Sequence, residues 1–138
     1  MYIDTSCLVA YYLPEERSSY VQEMMHSEDE VVISFVTDIE MLSAIKKKER
    51  MNDISSKDAD EVFRLYKSHR ENGLFKVQEL TPKVFKAAEF ILQSSSNALR
   101  TLDAIHLGVV YDNKLKLFSF DQVLVKTAHE LKIKTYET

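Results

Sequence analysis

Apolar residues follow two kinds of spacing along the chain, and each kind predicts a different secondary structure. Brief apolar or alternating segments bounded by polar residues are typical of strands. Five such segments predict strands at Met1–Asp4, Val31–Ser34, Phe75–Leu80, Leu115–Phe120 and Ile133–Tyr136. The second of these is short and β-branched, and the third alternates apolar and polar residues.

Longer segments repeat apolar residues every three to four positions, which is the spacing of an amphipathic helix. They predict seven helices, at Thr5–Leu13, Glu15–His26, Thr37–Arg50, Ser55–Asn72, 81–92, Arg100–Tyr111 and Asp121–Leu131. Because strands and helices alternate, the pattern predicts an α/β three-layer sandwich with a doubly wound parallel sheet. Ligands of such folds bind beyond the carboxyl ends of the strands, where the strand order reverses.

The composition fits one globular domain over residues 1–138. Hydrophobic residues make up 45% of the chain and charged residues 29%, which is ordinary for a folded protein. The 22 acidic and 18 basic side chains give a formal net charge of −4, which argues against a protein that coats nucleic acid through excess Lys and Arg. A nuclease is compatible with this charge, since a metal ion can supply local positive charge.

Other residue types exclude several kinds of site. Cys7 is the single cysteine, so no internal disulfide forms and no Cys/His set indicates structural zinc. Only two glycines occur, which excludes a glycine-rich phosphate loop. Met1–Asp4 has neither a basic region nor a long apolar run, so we expect a cytoplasmic protein that does not enter a membrane.

Four acidic residues stand where the chain passes from strand to helix or enters a helix: Asp4, Glu40, Asp103 and Asp121. Asp4 and Asp121 end the first and fourth predicted strands, so a parallel sheet would bring them to the edge where ligands bind. Carboxylates that lie together repel each other and need a compensating cation. Hard oxygen ligands suit Mg²⁺ or Mn²⁺, the ions that serve phosphate chemistry.

Each of these acids also has a purely structural interpretation. Asp4 and Asp121 fit helix N-caps. Thr37-Asp38-Ile39-Glu40 matches a capping box, in which Glu40 would bond back to the start of the helix. Asp103 lies in a first helical turn, where the helix dipole favours a carboxylate. The functional hypothesis therefore depends on the four acids together.

Four stretches of the sequence resemble one known family. They are Tyr2-Ile3-Asp4-Thr5-Ser6, Glu40 early in the helix after the second strand, Leu99-Arg100-Thr101-Leu102-Asp103-Ala104-Ile105-His106-Leu107, and Phe118-Ser119-Phe120-Asp121. In this order and spacing, nearly the whole chain resembles the PIN-domain ribonucleases, and among them the VapC-type toxins of type II toxin–antitoxin pairs. The stretch from Arg100 to Leu107 is the most specific of the four.

The resemblance implies a PIN-like, five-stranded parallel sheet of order 3-2-1-4-5. It implies a catalytic, metal-binding cluster formed by Asp4, Glu40, Asp103 and Asp121. The hydroxyls of Ser6 and Ser119 would lie beside the cluster. The resemblance also implies an RNA substrate, an antitoxin partner and a homodimer. One departure is Lys132, which stands where the family often has glycine.

The implied activity is that of a metal-dependent endoribonuclease, which hydrolyses RNA phosphodiester bonds by metal-activated water. We expect Asp4 and Asp103 to be the first pair of ligands to Mg²⁺ or Mn²⁺. Asp121 would complete that site or hold a second ion. Glu40 would bind an ion through water or act as a base that orients the attacking water.

Two further features have a functional and a structural interpretation each. The basic cluster of Lys46, Lys47 and Arg50 predicts contact with RNA phosphate, and the alternative is a solvated helix end that suits the helix dipole. His106 lies three residues after Asp103 on the same helical face. We expect His106 to lie in the core or beside the acids rather than to ligate a metal.

Alternative functions remain open from the sequence. The chain could be a catalytically silent PIN-like interaction module, although all four acids are present, or a PIN nuclease acting in RNA processing or on DNA. Two other enzymes with similar sheets are excluded. A haloacid-dehalogenase phosphatase needs a second Asp where Ser6 stands, and a receiver domain needs an Asp where the chain reads Glu79-Leu80-Thr81.

Overall fold

The computed structural model describes residues 1–138 and contains four strands and seven helices. The strands are β1 (Tyr2–Ile3), β2 (Val32–Ser34), β3 (Lys76–Gln78) and β4 (Leu117–Phe118). The helices are α1 (Thr5–Tyr12), α2 (Ser18–Ser27), α3 (Phe35–Arg50), α4 (Ser56–Glu71), α5 (Pro82–Ser94), α6 (Thr101–Asp112) and α7 (Gln122–Glu130). Each predicted helix is present, and none of them combines the length and apolar character needed to cross a membrane.

The four strands form one parallel sheet of order β3-β2-β1-β4, so the predicted order is confirmed for these strands. The prediction of a fifth strand at Ile133–Tyr136 is wrong. That segment contributes a single parallel bridge, between Leu117 and Thr135. Because β4 is only two residues long, it offers a neighbouring segment little backbone to pair with.

Adjacent residues of the strands point to opposite faces of the sheet and enter two separate cores. Ile3, Ile33 and Phe118 pack in a core formed with α1, α2, α3 and α4. Tyr2, Val32 and Leu117 pack in a core formed with α5, α6 and α7. The predicted three-layer sandwich is therefore confirmed, and the carboxyl ends of β1 and β4 lie between the two helical layers.

Local signals in the sequence explain several helix ends. The Ser55 hydroxyl accepts a hydrogen bond from the Asp58 N–H and caps α4, while Thr81 does the same for α5, which Pro82 opens. Gly73, which follows α4, has a φ of 78°, a conformation that favours glycine. These signals set the helix boundaries independently of the acidic residues.

Candidate active site

All four predicted acids line one cavity of about 510 Å³ at the carboxyl ends of β1 and β4. Asp4 directly follows β1, and Asp121 follows β4 after a short connection. Glu40 projects from α3 in one helical layer, and Asp103 from the first turn of α6 in the other. The strand order reverses between β1 and β4, which is where doubly wound sheets bind ligands.

Asp4 is the buried member of this cluster, with 9% of its surface exposed. Its Oδ2 accepts hydrogen bonds from Ser6 Oγ at 2.5 Å and Ser119 Oγ at 3.1 Å. Its carboxylate makes no hydrogen bond to the start of α1, so the interpretation as a capping side chain is wrong. Burial raises the pKa of Asp4 above its ordinary value, and this effect outweighs the two hydroxyl donors.

Glu40 does not belong to a capping box, because α3 begins earlier than the sequence predicts. Ser34 is the N-cap, and its backbone N–H donates to Thr37 Oγ1 at 3.3 Å. Glu40 therefore points into the cavity, where its Oε1 accepts a hydrogen bond from Thr5 Oγ1 at 2.8 Å and pairs with His106 Nε2. Burial alone would raise the pKa of Glu40, but the bonds from His106 and Thr5 hold this pKa below its ordinary value.

His106 is buried and connects Glu40 to β1. Its Nδ1 lies 2.6 Å from the hydroxyl of Tyr2, which itself donates to Ser34 Oγ at 3.1 Å. The donor and acceptor roles of the two ring nitrogens depend on the protonation of His106, since a neutral ring donates from one nitrogen and an imidazolium from both. Burial would lower the pKa of His106, but the hydrogen bond and charge of Glu40 raise it above its ordinary value. The expected place for His106, in the core beside the acids, is confirmed.

Asp103 and Asp121 keep the structural roles that the sequence suggests while lining the cavity. The Oδ2 of Asp103 accepts from the backbone N–H of Arg100 at 3.3 Å and from its Nε at 3.2 Å. The Oδ1 of Asp121 accepts from the N–H groups of Val123 and Leu124, at 2.8 and 3.0 Å, and caps α7. The Asp121 N–H also donates to the Ser119 hydroxyl at 3.0 Å.

Each carboxylate uses one oxygen for these bonds and leaves the other without a protein partner. The free oxygens are Oδ1 of Asp4, Oε2 of Glu40, Oδ1 of Asp103 and Oδ2 of Asp121. This donor set of hard oxygens fits Mg²⁺ or Mn²⁺. No group of three His, Cys, Asp or Glu side chains is close enough to hold an ion. Mg²⁺ keeps several of its waters in proteins and needs few direct protein ligands.

The cavity also contains basic side chains. Lys47, which the sequence predicts as an RNA contact, lines it. Lys46 lies outside it and pairs with Glu49 at 2.8 Å, and Arg50 is not part of its lining. Arg100 also lines the cavity, and the predicted site residues do not include it. Its position three residues before Asp103 is the signal that points to it.

The chain belongs to the PIN domain family, whose model matches residues 1–130. The match covers all four acids and every buried residue of the two cores except Ile133. No curated protein matches the sequence. The resemblance seen in the sequence motifs is therefore confirmed at the level of the family.

Solved structures with the same fold include toxins and toxin–antitoxin complexes. Mycobacterium tuberculosis VapC20, described as a sarcin–ricin loop cleaving toxin, is 16% identical with a TM-score of 0.71, over 91% of this chain and 92% of that one. VapBC2 from Rickettsia felis is 9% identical with a TM-score of 0.70, over 98% and 96%. A toxin–antitoxin complex from Klebsiella pneumoniae is 15% identical with a TM-score of 0.63, over 87% and 85%. At these identities the likeness establishes the fold.

Proposed function

We propose that this protein is a metal-dependent endoribonuclease and the toxin of a type II toxin–antitoxin pair. One observation carries the proposal: four carboxylates from four separate segments line one cavity at the reversal of strand order, each with one oxygen free. A protein that needed these acids only for capping would have no reason to gather them. Asp4 in particular is buried and caps nothing.

Different residues would have different roles in phosphodiester hydrolysis. Asp4 and Asp103 would hold a divalent ion, and the Ser6 and Ser119 hydroxyls fix the orientation of Asp4. Glu40, held by Thr5 and His106, directs its free oxygen into the cavity to orient the attacking water. When bound, Mg²⁺ or Mn²⁺ supplies an activated water and polarises the phosphoryl oxygen.

Basic side chains at the same cavity would position the substrate. Lys47 and Arg100 lie on opposite helical layers, on α3 and at the start of α6. A phosphate group between them would be attracted from both sides, since both side chains are positively charged. These contacts favour a nucleic-acid substrate and do not depend on base sequence.

Solved structures that share this fold favour RNA as the substrate and an antitoxin as the partner. The VapC20 structure is described as a toxin that cleaves the sarcin–ricin loop, and the Klebsiella structure as a toxin–antitoxin complex. In this chain Ile39 and Leu102 line the acidic cavity and remain 70% and 43% exposed. We infer that an apolar segment of an antitoxin covers them and closes the cavity, and that both partners work in the cytoplasm.

A homodimer is favoured by a second apolar surface. Phe85 and Leu92, seven residues apart on one side of α5, are both exposed. Contiguous exposed aromatic and aliphatic side chains mark interaction surfaces in soluble proteins. Sedimentation or light scattering of the purified protein tests this inference, and a monomer at micromolar concentration contradicts it.

The test of the activity is cleavage of a fluorescent structured RNA with Mg²⁺ or Mn²⁺ by the parent and by Asp4→Asn. Asparagine keeps the shape of the side chain and an oxygen acceptor for the two serines, but it removes the charge. We expect a loss of roughly 100-fold or more in kcat/KM, and loss of the parent's cleavage with a chelator. The matched control is Asp53→Asn, at an exposed site outside the cavity, which should cleave like the parent.

A second readout separates ion binding from chemistry. An ion that binds only the folded protein at ten times its Kd adds about 1.4 kcal/mol of stability, so MgCl₂ or MnCl₂ should raise the Tm of the parent. The same salt should leave the Tm of Asp4→Asn nearly unchanged. Equal cleavage by the parent and Asp4→Asn would exclude the nuclease, and a silent module would show neither cleavage nor a metal-dependent Tm.

The toxin assignment has its own test. Induced expression of the parent should arrest growth of the host cells, while Asp4→Asn should not. Co-expression of the product of a small neighbouring reading frame should restore growth. Mapping RNA ends in the arrested cells then identifies the target, and arrest without new RNA ends would assign the effect to another activity.

A further inference from the structure

Two short basic segments follow the last two helices of the fold. Lys114-Leu115-Lys116 follows α6, and Lys132-Ile133-Lys134 follows α7. In both, two exposed lysines flank an apolar residue that turns inward. The chain then enters the sheet, at β4 in the first case and at the bridge of Thr135 in the second.

Both helices end in the same conformation, with lysine at the position that glycine usually takes. Lys114 and Lys132 have φ values of 52° and 58°. The N–H of the next residue bonds back to the helix, from Leu115 to Val110 and from Ile133 to Ala128, which completes a Schellman motif. The equivalent positions after α3 and α4 carry Asn52 and Gly73, residues that favour this conformation. Backbone preference therefore does not account for the two lysines.

The two segments run side by side. Leu117 pairs in parallel with Thr135, and its N–H donates to the Lys134 carbonyl at 2.9 Å. The four lysines line one cavity of about 450 Å³, together with aliphatic residues and the half-exposed Tyr111. No acidic residue lines this cavity, although acids outnumber bases in the whole chain.

The positive charges of this basic cavity are not neutralised within the protein. None of the four lysines forms a salt bridge, and Lys116 Nζ instead lies 3.8 Å from the ring centroid of Tyr136. Glu130, at the end of α7, accepts a hydrogen bond from Ser96 at 2.7 Å. Helix dipoles favour lysine within the last turn, which accounts for Lys114 and Lys132 but not for the two lysines beyond them.

We propose that this basic cavity is a second binding site for single-stranded RNA, in which the lysines contact phosphates and Tyr111 stacks on a base. The inference rests on the proposed function for the identity of the strand. A groove of unpaired positive charge with an aromatic side chain is what single-stranded nucleic acid requires. The basic cavity lies at the amino-terminal end of β4, whereas the acids lie at the carboxyl ends of β1 and β4, roughly 15 Å away along the 116–121 segment. It would therefore hold a part of the substrate that is not cleaved.

The test is anisotropy of a labelled 12-nucleotide RNA with the full-length protein in EDTA, which prevents cleavage. The double variant Lys116→Ala/Lys134→Ala should bind at least 10-fold more weakly than the parent. The slope of log K against log salt concentration should be smaller by about 1.4 for this variant, since each phosphate contact on a single strand contributes about 0.7 to that slope. The control Lys83→Ala/Lys86→Ala removes the same charge from exposed positions of α5 and should bind like the parent.

Stacking has a separate prediction. Tyr111→Ala should bind RNA more weakly than the parent. Tyr111→Phe keeps the aromatic ring and should bind RNA like the parent. Thermal unfolding of each variant shows whether it is folded. Equal RNA affinity of the parent and the Lys116→Ala/Lys134→Ala variant, or no RNA binding by the parent, overturns the proposal.

Further measurements separate RNA binding at this cavity from polyphosphate binding and from the nuclease activity. Tripolyphosphate, measured by calorimetry, should bind more weakly than the RNA, and tighter binding would assign the cavity to a free polyphosphate instead. Lysine-dependent RNA binding by a protein that cleaves no RNA would remove the proposed nuclease function and leave this site standing. Cleavage together with lysine-independent binding would do the reverse.

Discussion

The ion pair between Glu40 and His106 joins the two helical layers behind the acidic cavity. The pKa of Glu40 lies below its ordinary value of 4.5, so its contribution to stability is present above pH 4.5 and is lost as the pH falls through the folded pKa. The pKa of His106 lies above its ordinary value of 6.5, so its contribution is present below pH 6.5 and is lost as the pH rises through the folded pKa. Between pH 4.5 and pH 6.5 the contributions of both side chains to stability are present.

We therefore expect the metal-free protein to lose stability as the pH rises above 6.5. The raised pKa of Asp4 acts in the same direction, because ionisation of a buried carboxylate costs the folded state. Urea unfolding in EDTA, repeated between pH 4 and pH 9, measures this trend. The comparison is His106→Gln, which retains Asp4 but cannot be protonated.

The difference between the parent and His106→Gln isolates the histidine. The stability advantage of the parent should be largest near pH 6 and should shrink toward pH 9. Parallel stability curves for the two proteins would mean that His106 is neutral in the fold and that its contact with Glu40 is an ordinary hydrogen bond.

At the scale of elements, the contact between α5 and α6 depends on Gly108. A Cβ at this position would lie 2.6 Å from the Val84 carbonyl oxygen and 3.2 Å from the Ala88 backbone nitrogen. Both are backbone atoms, which cannot move aside as a flexible side chain could. Glycine is therefore required by the approach of the two helices, although it is a poor helix former.

Gly108→Ala should thus destabilise the protein, against the usual preference for alanine in helices. Helix propensity alone would stabilise by about 1 kcal/mol, while overpacking costs about 1–3 kcal/mol. We expect the free energy of unfolding, measured in urea, to fall by up to about 2 kcal/mol. An increase would show that α5 can shift away without loss, and that the helix pair is not tightly fixed.

The sequence predicts these elements well because most of them have a local signal, such as Ser55 and Thr81 at helix starts. It misplaces the start of α3 because Ser34 is both the last residue of β2 and the N-cap of the helix. With no turn residue between strand and helix, the pattern offers no boundary. The predicted last strand fails for a related reason, since the pairing of Thr135 depends on how short β4 is.

The sequence likewise predicts some parts of the candidate site and not others. Strand ends predict Asp4 and Asp121, because position along parallel strands is a local property, and the resemblance to the family predicts Glu40 and Asp103. The partners of Glu40 are not predictable by spacing, since Thr5 lies 35 residues away and His106 lies 66 residues away. Only the folded chain brings them together across β1.

At the scale of the whole molecule, the segment after α7 closes one edge of the sheet. Ile133 is buried, and the Tyr136 ring packs against Phe118 with centroids 6.0 Å apart. Leu117 donates its N–H to Lys134 and accepts from the Tyr136 N–H, both at 2.9 Å. A single bridge therefore performs the covering role that a fifth strand would have.

Deletion of residues 133–138 should consequently destabilise the protein and make it aggregate. Loss of the buried isoleucine and of the backbone bonds at Leu117 predicts about 3–5 kcal/mol, a large part of the stability of a small domain. The exposed edge of β4 would then pair with other copies. Urea midpoints and light scattering measure the two effects.

The matched control is deletion of residues 137–138 alone, which removes only a hydrogen bond from the Tyr20 hydroxyl to the Glu137 carbonyl. This shorter deletion should cost less than about 1 kcal/mol, because the bond is exposed. If both deletions have the same small effect, the edge of β4 is protected by α2 and the side chains of the first core instead. A large effect of the longer deletion alone assigns that protection to Ile133 and Tyr136.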